Sequence, residues 1–235
     1  MIHLAIAGLS SEAEVESTSH LLLHSLWPIV RGALLGTIPL ALSSFVIGLA
    51  LALGVALLRI SQHRLLNWIG RTYVSVIRGT PLLVQLFIIF YGLPNVGLTI
   101  PPWPSAIVAF SLNVGGYAAE VIRAAILSVP KGQREAAYTI GLTSTQTLVR
   151  IILPQALRVA VPPLSNTFIS LVKDTSLAAV VLVTELLREA QKIAYSENKF
   201  LILYIEAAVV YWVLCTFLSF GQEKLERRLE RSVAI

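Results

Sequence analysis

The chain has 235 residues, of which 56% are hydrophobic and only 13% charged, and its mean hydropathy is +0.77. A soluble domain carries roughly 25% charged residues, so too few charges are present to cover a soluble surface of this size. The net charge of +5 could suit a nucleic-acid binder, but Lys and Arg flank apolar blocks instead of clustering on their own, which excludes that class.

The first 27 residues form a tail carrying Glu12, Glu14 and Glu16; it has no positive N-terminal region and only a short apolar run, so it is a poor signal peptide. Five apolar blocks follow, each near the length of about 20 residues that a bilayer requires. The first, 28–58, is longer than needed and is expected to begin at the surface near Arg31. The second is 68–91 and the third 105–128. The fourth, 164–184, is interrupted by polar residues, and the fifth is 200–220. All are predicted to be helices, because lipid cannot satisfy free backbone groups. Prolines 94, 101, 102 and 104 mark the second connection, and Pro162 and Pro163 are expected to precede the fourth span. The lone cysteine, Cys215, lies inside an apolar block and reads as a small packing residue. The expectation is an all-α, polytopic helical membrane bundle.

Five spans put the termini on opposite sides, and loop charge chooses between them. One set of segments holds Arg59, Arg64 and Arg71, then Lys131, Arg134, Arg150 and Arg158, then Lys224, Arg227, Arg228 and Arg231; the opposite set holds Arg188, Lys192 and Lys199. Eleven cations against three predict an N-terminus outside and a C-terminus in the cytoplasm.

The longest cytoplasmic loop on this layout, 130–154, reads PKGQREAAYTIGLTSTQTLVRIILP. The Glu135-Ala136-Ala137 segment is strongly helix-forming. Gly141 can end that helix at positive φ. Thr143 or Ser144 can cap a second helix, expected to stop near Pro154. Glu135-Ala136-Ala137, three residues, Gly141, nine residues, then Ile151-Ile152-Leu153-Pro154 resembles the EAA loop of ABC-type import permeases at every defining position. The segments 78–94, 115–137 and 171–180 resemble the polar amino-acid branch, and 152–178 is most similar to L-cystine permeases.

That resemblance implies a permease domain over 28–235 whose elbow docks on a cytoplasmic ATPase through Gly132, Glu135, Ala136, Ala137, Gly141, Leu153 and Pro154. It implies two ATP-binding subunits, which hold the ATP and Mg, a second permease copy, an extracytoplasmic amino-acid-binding protein and a bacterial inner-membrane location. This chain itself has no GxxxxGK[ST] loop to cradle phosphates and no metal-ligand cluster, so no cofactor and no catalysis are assigned to it. A secondary transporter, or a channel not driven by ATP, is the competing reading; five spans without an internal repeat suit the former poorly.

Ionisable residues within the blocks need a partner or a role. Lys173-Asp174-Thr175-Ser176 lies roughly 15 Å beyond Pro163 at 1.5 Å per residue, near the midplane. Asp174 either receives a substrate ammonium or forms a structural ion pair, with Lys173 turned to an acidic partner. Glu120 and Arg123 share a helix face and read as a pair. Arg78-Gly79-Thr80-Pro81 can break the second span beside a cation, or simply mark a helix entry. Arg78, Thr80, Glu120, Asp174 and Ser176 are the candidates for the solute path.

Overall fold

The computed structural model describes residues 18–231. Within them every regular element is helical. Helix α1 spans Thr18–Ile60, α2 Arg64–Gly79 and α3 Leu82–Val96. Helix α4 spans Pro102–Ser128, α5 Lys131–Thr139 and α6 Ser144–Val181. Helix α7 spans Leu186–Glu197 and α8 Phe200–Arg231. Four helices (α1, α4, α6 and α8) are long and apolar enough to cross a membrane, or five spans if α2 and α3 count as one broken crossing.

Three boundaries differ from the sequence expectation. Residues 18–27, expected in the tail, already belong to α1; the acidic residues Glu12, Glu14 and Glu16 lie outside the described residues. The second span is not one helix: α2 and α3 meet at 103°. The second helix of the elbow does not stop at Pro154, and Pro162 and Pro163 do not precede the fourth span; all three lie within the continuous helical segment α6.

The prolines inside helices have a visible local accommodation. Wide π turns occupy Ala33–Thr37, Ile88–Gly92 and Leu148–Ile152, and each is followed at its second residue by a proline: Pro39, Pro94 and Pro154. A proline ring collides with the carbonyl four residues back. Here that carbonyl belongs in each case to the wide turn, which carries it out of the way and lets the chain continue.

The core is built on α4, whose inward face is rich in small residues: Ala106, Ala109, Ala118 and Ala119 are buried with Phe110 and Val114. Helix α1 lies along this face. A Cβ on Gly48 would stand 2.6 Å from that of Val114 and 3.0 Å from the Ser111 carbonyl, so glycine sets the approach of the two helices. Ser111 donates to the Ser44 carbonyl (3.2 Å), and Tyr73 of α2 donates to the Leu112 carbonyl (2.7 Å). Exposed large apolar side chains cover the outside, as a lipid solvent permits.

A buried carboxylate anchors α7. Glu185 caps the helix by accepting the Arg188 amide at 2.7 Å, and it accepts the hydroxyls of Tyr211 on α8 (2.7 Å) and Thr37 in the first π turn (3.3 Å). One side chain thus ties α1, α7 and α8 together.

Candidate functional site

At the α2–α3 break, Thr80 and Pro81 are extended, and Pro81 has no N–H to offer. The carbonyls freed there are served by Gln85, whose amide nitrogen donates to Ile77 O (2.8 Å), Thr80 O (3.2 Å) and Thr80 Oγ1 (2.9 Å). Its oxygen faces the Asn113 amide at 3.4 Å, which links the break to α4. The 103° turn is therefore a built feature with its polar groups satisfied inside the protein, as membrane depth requires.

Beside this break lies a cavity of about 420 Å³ lined by Thr80, Asn113, Tyr117, Asn166, Ser170 and Asp174, with Pro81, Leu82, Val114, Thr167 and Leu171. On α4, Asn113 and Tyr117 are four apart; on α6, Asn166, Ser170 and Asp174 repeat at intervals of four, so each helix presents one polar face to the cavity. Asn113 lies roughly 16 Å along α4 from its start, which places the cavity near the middle of a bilayer. The Asp174 carboxylate accepts no hydrogen bond and makes no ion pair with any described residue. Arg78 stands with its guanidinium 5.3 Å from the centre of the ring of Tyr117, one of the lining residues. A carboxylate, a cation and several amide and hydroxyl groups around a polar space can hold a small zwitterion.

The elbow is formed by α5 and the start of α6. Helix α5 ends in a Schellman turn: the Leu142 amide donates to Ala137 O (3.0 Å), the Gly141 amide donates to Tyr138 O (3.0 Å), and Gly141 has φ +81°. Thr143 then caps α6 in a capping box, its Oγ1 accepting the Gln146 amide (3.3 Å) while Gln146 accepts the Thr143 amide (2.9 Å). Ala137 is buried against the body, whereas Gly132, Glu135, Ala136 and Gly141 are exposed. No atom lies within 4 Å of a Cβ built on Gly132 or Gly141, so the outer face of the elbow is open. Arg134 donates to the Ile126 carbonyl at the end of α4 (3.3 Å), and Gln155 donates to Gln133 (3.4 Å). These bonds hold the elbow to α4 and α6.

The family model for the inner membrane component of binding-protein-dependent transport systems matches residues 44–231. The chain belongs to that family. The L-cystine transport system permease protein TcyB of Bacillus subtilis (strain 168) is 60% identical to the permease over 212 residues, covering 90% of this chain and 91% of that one. A probable amino-acid ABC transporter permease protein, YckA, of the same organism is 41% identical over 192 residues, covering 82% and 85%. A solved amino acid ABC transporter, crystallised with histidines, superposes with a TM-score of 0.80 at 34% identity over 86% of this chain and 94% of that one. The permease is thus a multi-pass protein of the bacterial inner membrane and the permease subunit of an ATP-driven amino-acid importer, most similar to L-cystine permeases.

The structure gathers some of the sequence-derived candidates of the permease and disperses others. Thr80 and Asp174 line the cavity; Arg78 is not in the lining and packs on the ring of Tyr117, which is. Glu120 does not: it is ion-paired with Arg59 of α1 and, at 3.1 Å, with Arg123, and it ties α1 to α4. Ser176 is also absent from the lining; its hydroxyl donates to the Lys173 carbonyl at 2.7 Å, because the chain tightens there to a 3-10 turn. Lys173, expected to face an acidic partner, has none within ion-pair range among the described residues. The sequence reasoning missed Asn113, Tyr117, Asn166 and Ser170, although their four-residue spacing was a usable signal. Leu153 and Pro154 lie where the π turn of the elbow passes into the straight part of α6.

Proposed function

We propose that this permease carries L-cystine or another polar amino acid through the cavity at the α2–α3 break, with Asp174 receiving the ammonium and Arg78 the carboxylate of the solute. The observation that carries this reading is the unpartnered Asp174 carboxylate in a polar cavity at membrane depth, where an ionisable side chain without a role is disfavoured. Thr80, Asn113 and Ser170 supply the neutral hydrogen-bonding groups. The sequence identity with the L-cystine permease supports the choice of solute.

The open outer face of the elbow, with Glu135, Ala136 and Gly141 exposed, is the docking surface for a cytoplasmic ATPase, which holds ATP and Mg and performs the hydrolysis. A second copy of the permease completes the path. In support, only 11% of the most apolar stretch of α8 is buried within one chain, against 56% for α4. An extracytoplasmic amino-acid-binding protein delivers the solute on the side of the N-terminus, and the elbow and C-terminus face the cytoplasm. Closure of the ATPase pair moves the two elbows, and the bonds from Arg134 and Gln133 carry that movement into α4 and α6, which line the cavity.

Asp174→Asn keeps the shape and removes the charge. Uptake should fall at least tenfold, about 1.4 kcal/mol, while the yield of the complex with its ATPase and its basal hydrolysis persist. Unchanged uptake across a range of solute concentrations removes Asp174 from the path, and loss of assembly together with uptake assigns it a structural role instead.

A further inference from the structure

A second cavity, about 460 Å³, opens at the other end of the molecule from the elbow, between Trp27, Arg31, Leu35, Trp103, Thr184 and Glu189. Its floor is closely packed: a Cβ on Gly36 would stand 2.5 Å from the Thr184 carbonyl, so α1 lies directly on the segment that leads into α7. Arg31 is exposed and makes no ion pair or side-chain hydrogen bond with a described residue. Glu189 is 22% exposed and meets Lys192 at 2.9 Å through Oε1, while Oε2 accepts nothing from a described residue. The cavity therefore offers a free guanidinium and a half-used carboxylate that are not paired with each other.

Depth and surface indicate what fits. Arg31 and Arg59 lie 28 positions apart on α1, roughly 42 Å at 1.5 Å per residue. That matches a bilayer measured from headgroup to headgroup, about 40–45 Å. Trp27 and Trp103 lie at the same level as Arg31, as interfacial aromatics do. From Arg31 an apolar stripe runs down α1 through Leu35, Leu42, Val46, Leu53 and Leu57, which are 63%, 49%, 65%, 41% and 40% exposed. Their spacing of alternately seven and four residues keeps them on one face.

We propose that this cavity binds the headgroup of an aminophospholipid, of which phosphatidylethanolamine is the type. The Arg31 guanidinium takes the phosphate in its planar fork. The Glu189 carboxylate takes the ammonium and disfavours a purely anionic headgroup. The acyl chains follow the stripe below. The assignment goes beyond the transport reading and does not depend on which end of α1 faces the cytoplasm.

The test uses the full-length permease in nanodiscs of mixed phosphatidylethanolamine, phosphatidylglycerol and phosphatidylcholine, with retained lipid counted by native mass spectrometry after detergent washing. Phosphatidylethanolamine should be retained preferentially. Arg31→Gln should lower its retention about fivefold, the contribution of one cation near a headgroup. Glu189→Gln should erase the preference over phosphatidylglycerol. Lys199→Gln, an exposed cation at the same end, should change nothing. Equal retention in Arg31→Gln, or an equal fall in Lys199→Gln, overturns the proposal. So does displacement of the retained lipid by L-cystine, which would make the cavity a solute site. Should Arg31→Gln not fold, Glu189→Gln decides alone, because only a bound ammonium links that carboxylate to the choice of headgroup.

Discussion

Gln85 holds the sharp turn on which the central cavity rests, and replacing it with leucine isolates that role. Leucine has nearly the same volume and fits a site that is 8% exposed. It cannot donate. Ile77 O and Thr80 O, now served at 2.8 and 3.2 Å, lose their shared amide donor. A buried polar group left unsatisfied costs about 1–3 kcal/mol, so two carbonyls cost about 2–6 kcal/mol, offset in part by burial of the leucine side chain. The apparent melting temperature of the purified permease should fall by several degrees, at about 2–4 °C per kcal/mol for a chain of this size. Uptake should fall further than stability alone explains, because Thr80 shifts at the cavity wall. Gln85→Glu should be worse, since it sets an acceptor against two acceptors. A Gln85→Leu permease that melts within a degree of the parent and transports normally refutes the reasoning: the turn would then be held by packing alone, without the amide.

Three further outcomes follow from the geometry. Gly141 has φ +81° and open space beyond it, so Gly141→Ala should cost about 1 kcal/mol with normal yield, while Gly141→Asp should abolish ATPase co-purification and uptake; retained co-purification and uptake in the Asp variant refute the docking surface. Glu185→Ala strands the Tyr211 and Thr37 hydroxyls and the Arg188 amide, about 3–9 kcal/mol, whereas Tyr211→Phe removes one bond and should cost about 1–2 kcal/mol; differential scanning of detergent-purified protein compares the two. Single cysteines at the exposed Ser196 and Thr145 in a Cys215→Ser background should react and stay protected, respectively, when intact cells meet a membrane-impermeant thiol reagent; the reverse pattern inverts the topology.

The membrane class and the elbow were legible in the sequence because each rests on local interactions. Blocks of apolar residues near bilayer length must become helices in lipid, whatever their neighbours do. Gly141 sits four residues after the last alanine of its helix, and Thr143 sits three before Gln146. A positive-φ stop and a capping box involve only residues a few positions apart, so their geometry follows from spacing alone. The prolines were less legible. Pro154 read as a stop and Pro162 and Pro163 as the approach to a new span, but α6 stays helical through all three, with a wide turn ahead of Pro154.

The cavity and the ion pairs were decided by tertiary structure. Thr80 of the α2–α3 break, Asn113 of α4 and Asp174 of α6 are far apart in the chain and meet only because the chain turns by 103° between α2 and α3. That turn requires Gln85 to repay carbonyls that no local rule assigns to it. Glu120 had an evident neighbour in Arg123, three residues on, but its second cation, Arg59, is 61 positions away and arrives only because small residues let α1 lie against α4. Hydropathy and capping act within a turn or two of helix; a polar group buried in lipid takes its partner from whichever helix the packing brings within reach.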